Sequence, residues 1–304
     1  MTVRTFSYTK IATYEQCPQK YKFRYIDELR PTHQTIEQLF GQTVHLCLRK
    51  LHEDTQAGRT VSEEEIADYY AARWKEGFCT STKIVRRGAT EKDYFESGKK
   101  MVLSYDRRVQ LIDAKTLVGV ELELNFPLAE RVSFQGVIDR LVRREPGLYE
   151  IHDYKTSRRL PSPRELKENK QLLLYEIGLR HRHPDAQRVL LVWHYLAHDK
   201  EIRVEKSSEQ LALAKDYVLK TIARISRARS FPTKVTPLCD WREYGRLCPA
   251  MKGASGKRSH ATYGNRRSPS RRYVNHPQKT HRRHRGIIGA LRRFLHFLAG
   301  TDEE

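Results

Sequence analysis

No stretch of the 304 residues approaches the eighteen or so consecutive apolar positions that a membrane-spanning helix requires, so the expectation is a soluble protein. The opening Met1-Thr2-Val3-Arg4-Thr5-Phe6-Ser7-Tyr8 lacks the apolar segment of a secretory signal, which points to the reducing cytosol and a cytoplasmic setting. Cysteine is scarce and odd in number, five at irregular spacing, so a disulfide framework is not expected and the cysteines read as thiols or metal ligands. No Gly-x4-Gly-Lys-Ser/Thr loop exists, since Gly253-Ala254-Ser255-Gly256-Lys257-Arg258 has the wrong spacing. The chain therefore has no ATP-driven motor of its own, and any unwinding must come from a partner. Acidic residues are in deficit: 37 Asp and Glu face 57 Lys and Arg, a net charge of +20 that favours a polyanion, nucleic acid before an anionic membrane surface. No internal repeat is visible.

What is present divides the chain in two. Residues 252–304 hold 13 Lys and Arg against three acids, half of the net charge. Up to about Arg285 this segment has hardly any aliphatic residue and cannot offset chain entropy by burial, so it reads as a disordered basic tail with a short amphipathic end, Leu291–Leu298. Residues 1–251 read as the folded part, a helical lobe over 1–115 and a core with a cysteine region over 116–251. Helical spacing covers Thr9–Ile26, Thr35–Glu53, Glu63–Gly77 and Glu91–Leu111. The period then shortens. Leu117–Phe126, Val132–Val142 and Leu148–Tyr154 are rich in β-branched and aromatic residues, joined by Pro127–Arg131 and the turn Arg144–Gly147, which predicts an antiparallel meander. A helix from Pro163 to His181, a strand pair Arg188–Ala197 and Glu201–Glu205, and a helix Ser208–Arg229 complete an α/β fold with a mixed sheet flanked by helices.

Two carboxylates and a lysine fall at consecutive strand ends, Asp139 in one and Asp153-Tyr154-Lys155 in the next. Alternate side chains of a strand share a face, so Asp153 and Lys155 point the same way and a hairpin partner brings Asp139 beside them. That set suits a hard cation such as Mg²⁺, with Lys155 orienting a bound water or stabilising developing charge. The bland alternative is an ion pair on an exposed strand face.

Gly136-Val137-Ile138-Asp139-Arg140-Leu141, followed by Asp153-Tyr154-Lys155-Thr156-Ser157, resembles the core of the PD-(D/E)XK nucleases, the RecB-like exonuclease branch in particular. His45 upstream of the sheet, Gln171-Leu172-Leu173-Leu174-Tyr175 after the lysine, and the opening Ser7-x-Thr9 with Cys17-Pro18-x-x-Tyr21 are similar to that branch in kind and order, over roughly residues 5–250. The resemblance implies a restriction-endonuclease-like fold and hydrolysis of DNA phosphodiesters, in exonuclease fashion, with Mg²⁺ or Mn²⁺. It implies Asp139, Asp153 and Lys155 as the catalytic set and His45, Asp139 and Asp153 as metal ligands. Glu121 stands on a strand where the family often has a Glu near the site, and Gln171 and Tyr175 share a helix face that contacts the DNA backbone or supports the lysine. The implied partners are DNA, single-stranded or with single-stranded ends, and a helicase or other repair, recombination or defence protein.

The resembling nucleases join their first cysteine to a Cys-x2-Cys-x5-Cys run through an iron–sulfur cluster. Here Cys239-Asp240-Trp241-Arg242-Glu243-Tyr244-Gly245-Arg246-Leu247-Cys248 has Arg242 where the middle cysteine would stand. Three thiolates remain, Cys17, Cys239 and Cys248, whereas a [4Fe–4S] cluster takes four and a guanidinium is no ligand. A substoichiometric cluster or none is expected, with plain packing of the three thiols as the leading alternative; Cys47, in an apolar stripe, reads as a core thiol. Two competing classes are a nuclease-derived nucleic-acid-binding module, against which the intact Asp139, Asp153 and Lys155 stand, and a membrane-surface protein using Leu291–Leu298.

Overall fold

The computed structural model describes residues 3–109 and 114–252, and the expected basic tail beyond Lys252, with its amphipathic end, lies outside them. Strands β2 (Leu117–Ala129), β3 (Val132–Glu145) and β4 (Leu148–Lys155) form the expected antiparallel meander. β2 runs further than its composition suggested, with Pro127 paired to Ser133 just before a register shift. β2 pairs only with β3, and an edge strand tolerates a residue that lacks an N–H. β5 (Arg188–Tyr195) lies parallel to β4, and β6 (Lys200–Glu205) antiparallel to β5.

A sixth strand, β1 (Arg4–Phe6), pairs in parallel with the start of β3, from Arg4↔Val132 to Phe6↔Phe134. Three residues are too few to show a period, so nothing in the sequence distinguishes this strand from a loop. One edge of β3 thus carries β2, and the other is shared by β1 and β4. The mixed sheet flanked by helices is the restriction-endonuclease-like α/β arrangement.

The helices sort into two cores. Helices α1 (Tyr8–Gln16), α2 (Pro18–Tyr25), α7 (Lys170–Arg182) and α8 (Ser208–Arg227) pack with the sheet through Ile11, Tyr21, Leu172 and Val218 against Phe134, Ile151 and Trp193. Helices α3 (Ile36–Gln56), α4 (Glu63–Gly77) and α5 (Glu91–Val109) enclose Val44, Leu48, Ile66, Tyr70 and Val102. The helical lobe is therefore narrower than 1–115, because β1, α1 and α2 belong with the sheet. Reciprocal caps start the elements cleanly: Thr35 with Gln38 for α3, Ser62 with Glu65 for α4, Ser207 with Gln210 for α8. Two expected helices are each broken by one extended residue. Cys17 separates α1 from α2, with Pro18 at the first helical position, and Asn169 separates α6 (Pro163–Glu168) from α7. No helix among the described residues is long and apolar enough to cross a membrane.

Candidate active site

Arg140 of β3 pairs with His152 of β4, and Asp139 and Asp153 are the residues just past that pair, where the two strands part. Instead of continuing the ladder, the amide of Tyr154 donates to Asp139 Oδ2 at 2.8 Å. The backbone of Tyr154 serves a second group. His45 of α3 places Nε2 at 3.0 Å from the Tyr154 carbonyl oxygen, and since a carbonyl only accepts, Nε2 carries the proton. That tautomer leaves the lone pair on Nδ1, which lies 3.7 Å from Asp139 Oδ2.

Glu121 completes the cluster. It sits in β2 between the pairs Val120↔Arg140 and Leu122↔Ile138, hence across from Asp139, with φ of 49°. A glutamate in the left-handed region costs about 1–3 kcal/mol, a strain that concentrates at functional sites. His45, Glu121 and Asp139 bring one ligand atom each within 4.8 Å of one another. Asp153 stands outside that set. Its Oδ2 pairs with Lys155 Nζ at 2.8 Å, and Lys155 in turn donates to Gln171 Oε1 at 3.3 Å. Gln171 Nε2 donates to the Tyr175 hydroxyl at 3.3 Å. The Tyr175 ring fits because residue 136 is glycine: a Cβ there would lie 2.4 Å from Tyr175 Cε1.

Burial governs the electrostatics. Asp139 and Asp153 are 3 % and 2 % exposed, and Asp139 Oδ1 and Asp153 Oδ1 accept no hydrogen bond among the described residues. Burial, then the charges of Asp153 and Glu121, holds Asp139 well above the usual carboxylate range. Burial raises Asp153 against the opposing pull of Lys155, and raises Glu121 to about 7. Burial and then the Lys155 charge lower His45 to about 3, so its imidazole stays neutral. Glu121 and Asp139, whose ionised forms are penalised, beside a neutral imidazole, are a donor set that fits a hard divalent cation such as Mg²⁺ or Mn²⁺, with the buried Asp153 held against Lys155 one residue past the Arg140–His152 pair. Sequence reasoning missed three neighbours. Tyr154 contributes through its backbone, which no composition signal reveals, and Tyr8 and Tyr195 lie close enough to Asp153 for its charge to add to the burial that raises their phenols.

Cys17, Cys239 and Cys248 line a single cavity together with Lys20, Lys234 and Arg242. Cys17 Sγ accepts from the Lys234 amide at 3.4 Å, Cys239 Sγ accepts from the Thr236 amide at 3.2 Å, and Arg242 donates to Thr236 Oγ1 at 3.3 Å. The three thiols line one cavity, and the fourth position is a cation, so these residues do not fit a four-thiolate cluster. Protein contacts hold the segment to α2 and the loop after it: Thr32 Oγ1 to the Glu243 carbonyl at 2.7 Å, Lys20 to Glu243 at 3.1 Å and the Tyr244 hydroxyl to the Leu29 carbonyl at 3.0 Å. Cys47 is a core residue, its thiol pushed up to about 12 by burial.

A sheet that opens at two acids and a lysine is the architecture of a metal-dependent nuclease. Comparison with known families agrees: the profile of the PD-(D/E)XK nuclease superfamily matches residues 5–249, and the chain belongs to that superfamily. Two solved structures are similar at low identity. One, from Eubacterium rectale and described as "Putative exonuclease", is 10 % identical with a TM-score of 0.44, covering 85 % of this chain and 90 % of that one. The other, SSO0001, is 12 % identical with a TM-score of 0.40, covering 81 % and 86 %. No curated protein sequence matches.

Proposed function

We propose that this chain is a RecB-like DNA nuclease that hydrolyses phosphodiester bonds, as an exonuclease, with Mg²⁺ or Mn²⁺ held by Asp139, Asp153 and His45 and with Glu121 as a further oxygen donor. The observation that carries the proposal is the pair of buried carboxylates with oxygens that accept no hydrogen bond among the described residues, beside a buried neutral imidazole. When bound, a divalent ion lowers the pKa of a water nucleophile and offsets charge on the scissile phosphate. The chain's own part is placement. Lys155, fixed between Asp153 and Gln171, presents an ammonium where negative charge develops on the phosphate, and Tyr175 holds Gln171 in turn. DNA as substrate agrees with the net charge of +20. Work beside a helicase in repair, recombination or defence rests on the motif order, and a cytoplasmic setting agrees with five free thiols.

The test uses 5′- and 3′-labelled single- and double-stranded DNA with Mg²⁺, Mn²⁺ or EDTA. Progressive shortening from an end with either metal and none in EDTA is expected. Cleavage in EDTA would overturn the proposal, and DNA retention without cleavage under any metal would favour the binding module.

A further inference from the structure

One residue stands between Asp153 and Lys155, and its side chain leaves the sheet altogether. Tyr154 is 2 % exposed and belongs to the core of the α3–α5 lobe. Its hydroxyl lies 2.9 Å from His52 Nε2 and 2.8 Å from the Tyr105 hydroxyl, and His52 Nε2 lies 2.8 Å from that same hydroxyl, so the three close a triangle. The Tyr154 and His52 rings are stacked, 6.2 Å apart and 9° from parallel. Arg140, on the next strand, approaches His52 Nε2 at 3.4 Å.

The geometry of α3 gives this triangle a consequence for the site. His45 and His52 are seven residues apart, two turns of helix, and so share a face. Tyr154 engages both: its carbonyl takes the His45 N–H, and its hydroxyl meets His52. Two anchors two turns apart fix both the height and the rotation of a helix against a strand. With the His45 anchor alone, only the less directional packing of Val44, Cys47, Leu48 and Leu51 would set the rotation of α3, and with it the place of Nδ1 relative to Asp139 and Glu121. His52 and Tyr105 are each 1 % exposed, so a shifted α3 would break these hydrogen bonds where water cannot replace them. Packing alone would be met by phenylalanine. The hydroxyl is what makes the position discriminating.

We infer that Tyr154 and His52 are positioning residues that set α3 against β4 and thereby bring His45 Nδ1 to the metal. The inference rests on the reading of His45 as a ligand and goes beyond it by naming what holds that ligand in place.

The experiment follows Mn²⁺ binding by electron paramagnetic resonance, which gives both the affinity and, through nitrogen modulation, whether an imidazole is directly bound. Tyr154→Phe is expected to weaken Mn²⁺ about tenfold, as removal of a residue supporting a ligand does, and to reduce the nitrogen signal. Tyr94→Phe is the structural control: it removes the part-buried hydrogen bond of the Tyr94 hydroxyl to Glu37 Oε1, 2.6 Å, at the start of the same helix but away from β4. It should cost comparable thermal stability and leave Mn²⁺ binding unchanged. His45→Ala separates the two levels. If it keeps wild-type affinity and nitrogen signal, His45 is no ligand and the underlying reading fails. If it loses them while Tyr154→Phe keeps them, the positioning inference alone is overturned. His52→Gln, which replaces the imidazole with an amide able to hydrogen-bond the hydroxyl, is the milder variant and should fall between. Failure of all three network variants, Tyr154→Phe, His52→Gln and Tyr105→Phe, to fold would also overturn the inference, because the network would then carry the fold and not steer the site.

Discussion

At Glu121 the backbone is strained and the carboxyl is raised, two costs that a folded protein does not keep without a return. Glu121→Gly should relieve the left-handed φ and raise stability in EDTA by about 1 kcal/mol, while weakening Mn²⁺. Thermal melts with and without metal check both halves, and a lower melting temperature in EDTA would count against stored strain. Asp153→Ala and Lys155→Ala should each abolish cleavage, by orders of magnitude in rate, with circular dichroism and DNA retention preserved. Cleavage at the wild-type rate by Asp153→Ala would remove the site assignment. A pH dependence follows from the same residues. His45 is lowered to about 3 and does not compete for protons near neutrality, whereas Glu121 is raised to about 7 and Asp139 well above its ordinary range. Carboxyls must be ionised to hold a cation, so protons compete with metal over the range of the raised values. Mn²⁺ affinity should therefore fall from pH 8 to pH 6, where carboxyls of ordinary pKa near 4 would produce no change. Calorimetry in two buffers of different ionisation enthalpy counts the released protons, and a count of zero at pH 6 would contradict the raised carboxyls.

Helices and strands were legible where the local pattern was long. α4 covers Glu63–Gly77 as its periodicity implies, and the meander lies within a few residues of its β-branched runs. What escaped was short or non-local: β1 with three residues, the breaks at Cys17 and Asn169, and the extension of β2 through Pro127. The site follows the same division. Asp139, Asp153, Lys155 and His45 were visible as residue types in order, but the strain that turns Glu121 into the cluster and the burial of Tyr154 in the opposite core depend on β2, α3 and α5 meeting. Periodicity carries no information about such meetings. The cysteine segment shows how one residue changes an element. With Arg242 in the cavity and Thr236 and Lys234 amides directed at two thiols, protein purified without oxygen should hold substoichiometric iron or none. Arg242→Cys should raise iron content and brown colour, and four irons per chain in the unaltered protein would show that the ligand set had been misjudged.

Charge belongs to the whole molecule. Half of the net +20 lies in residues 252–304, of which only Lys252 falls within the described part and none within the residues that match the superfamily, while every residue assigned to the site lies upstream. A basic segment separate from the chemistry should add affinity without sequence preference. Each phosphate that it neutralises releases most of one counterion, with a slope of about −0.7 per contact on single strands in a plot of log affinity against log salt. Removing the segment from about Lys252 onward should flatten that slope by several such contacts and weaken binding most at low salt. Turnover at saturating DNA should stay close to that of the full chain, since Asp139, Asp153, Lys155 and His45 are untouched. Affinity measured across a salt series for both proteins decides the matter: an unchanged slope would place the 13 basic residues away from DNA and assign them to another anionic partner, for which vesicles of anionic lipid are the next probe.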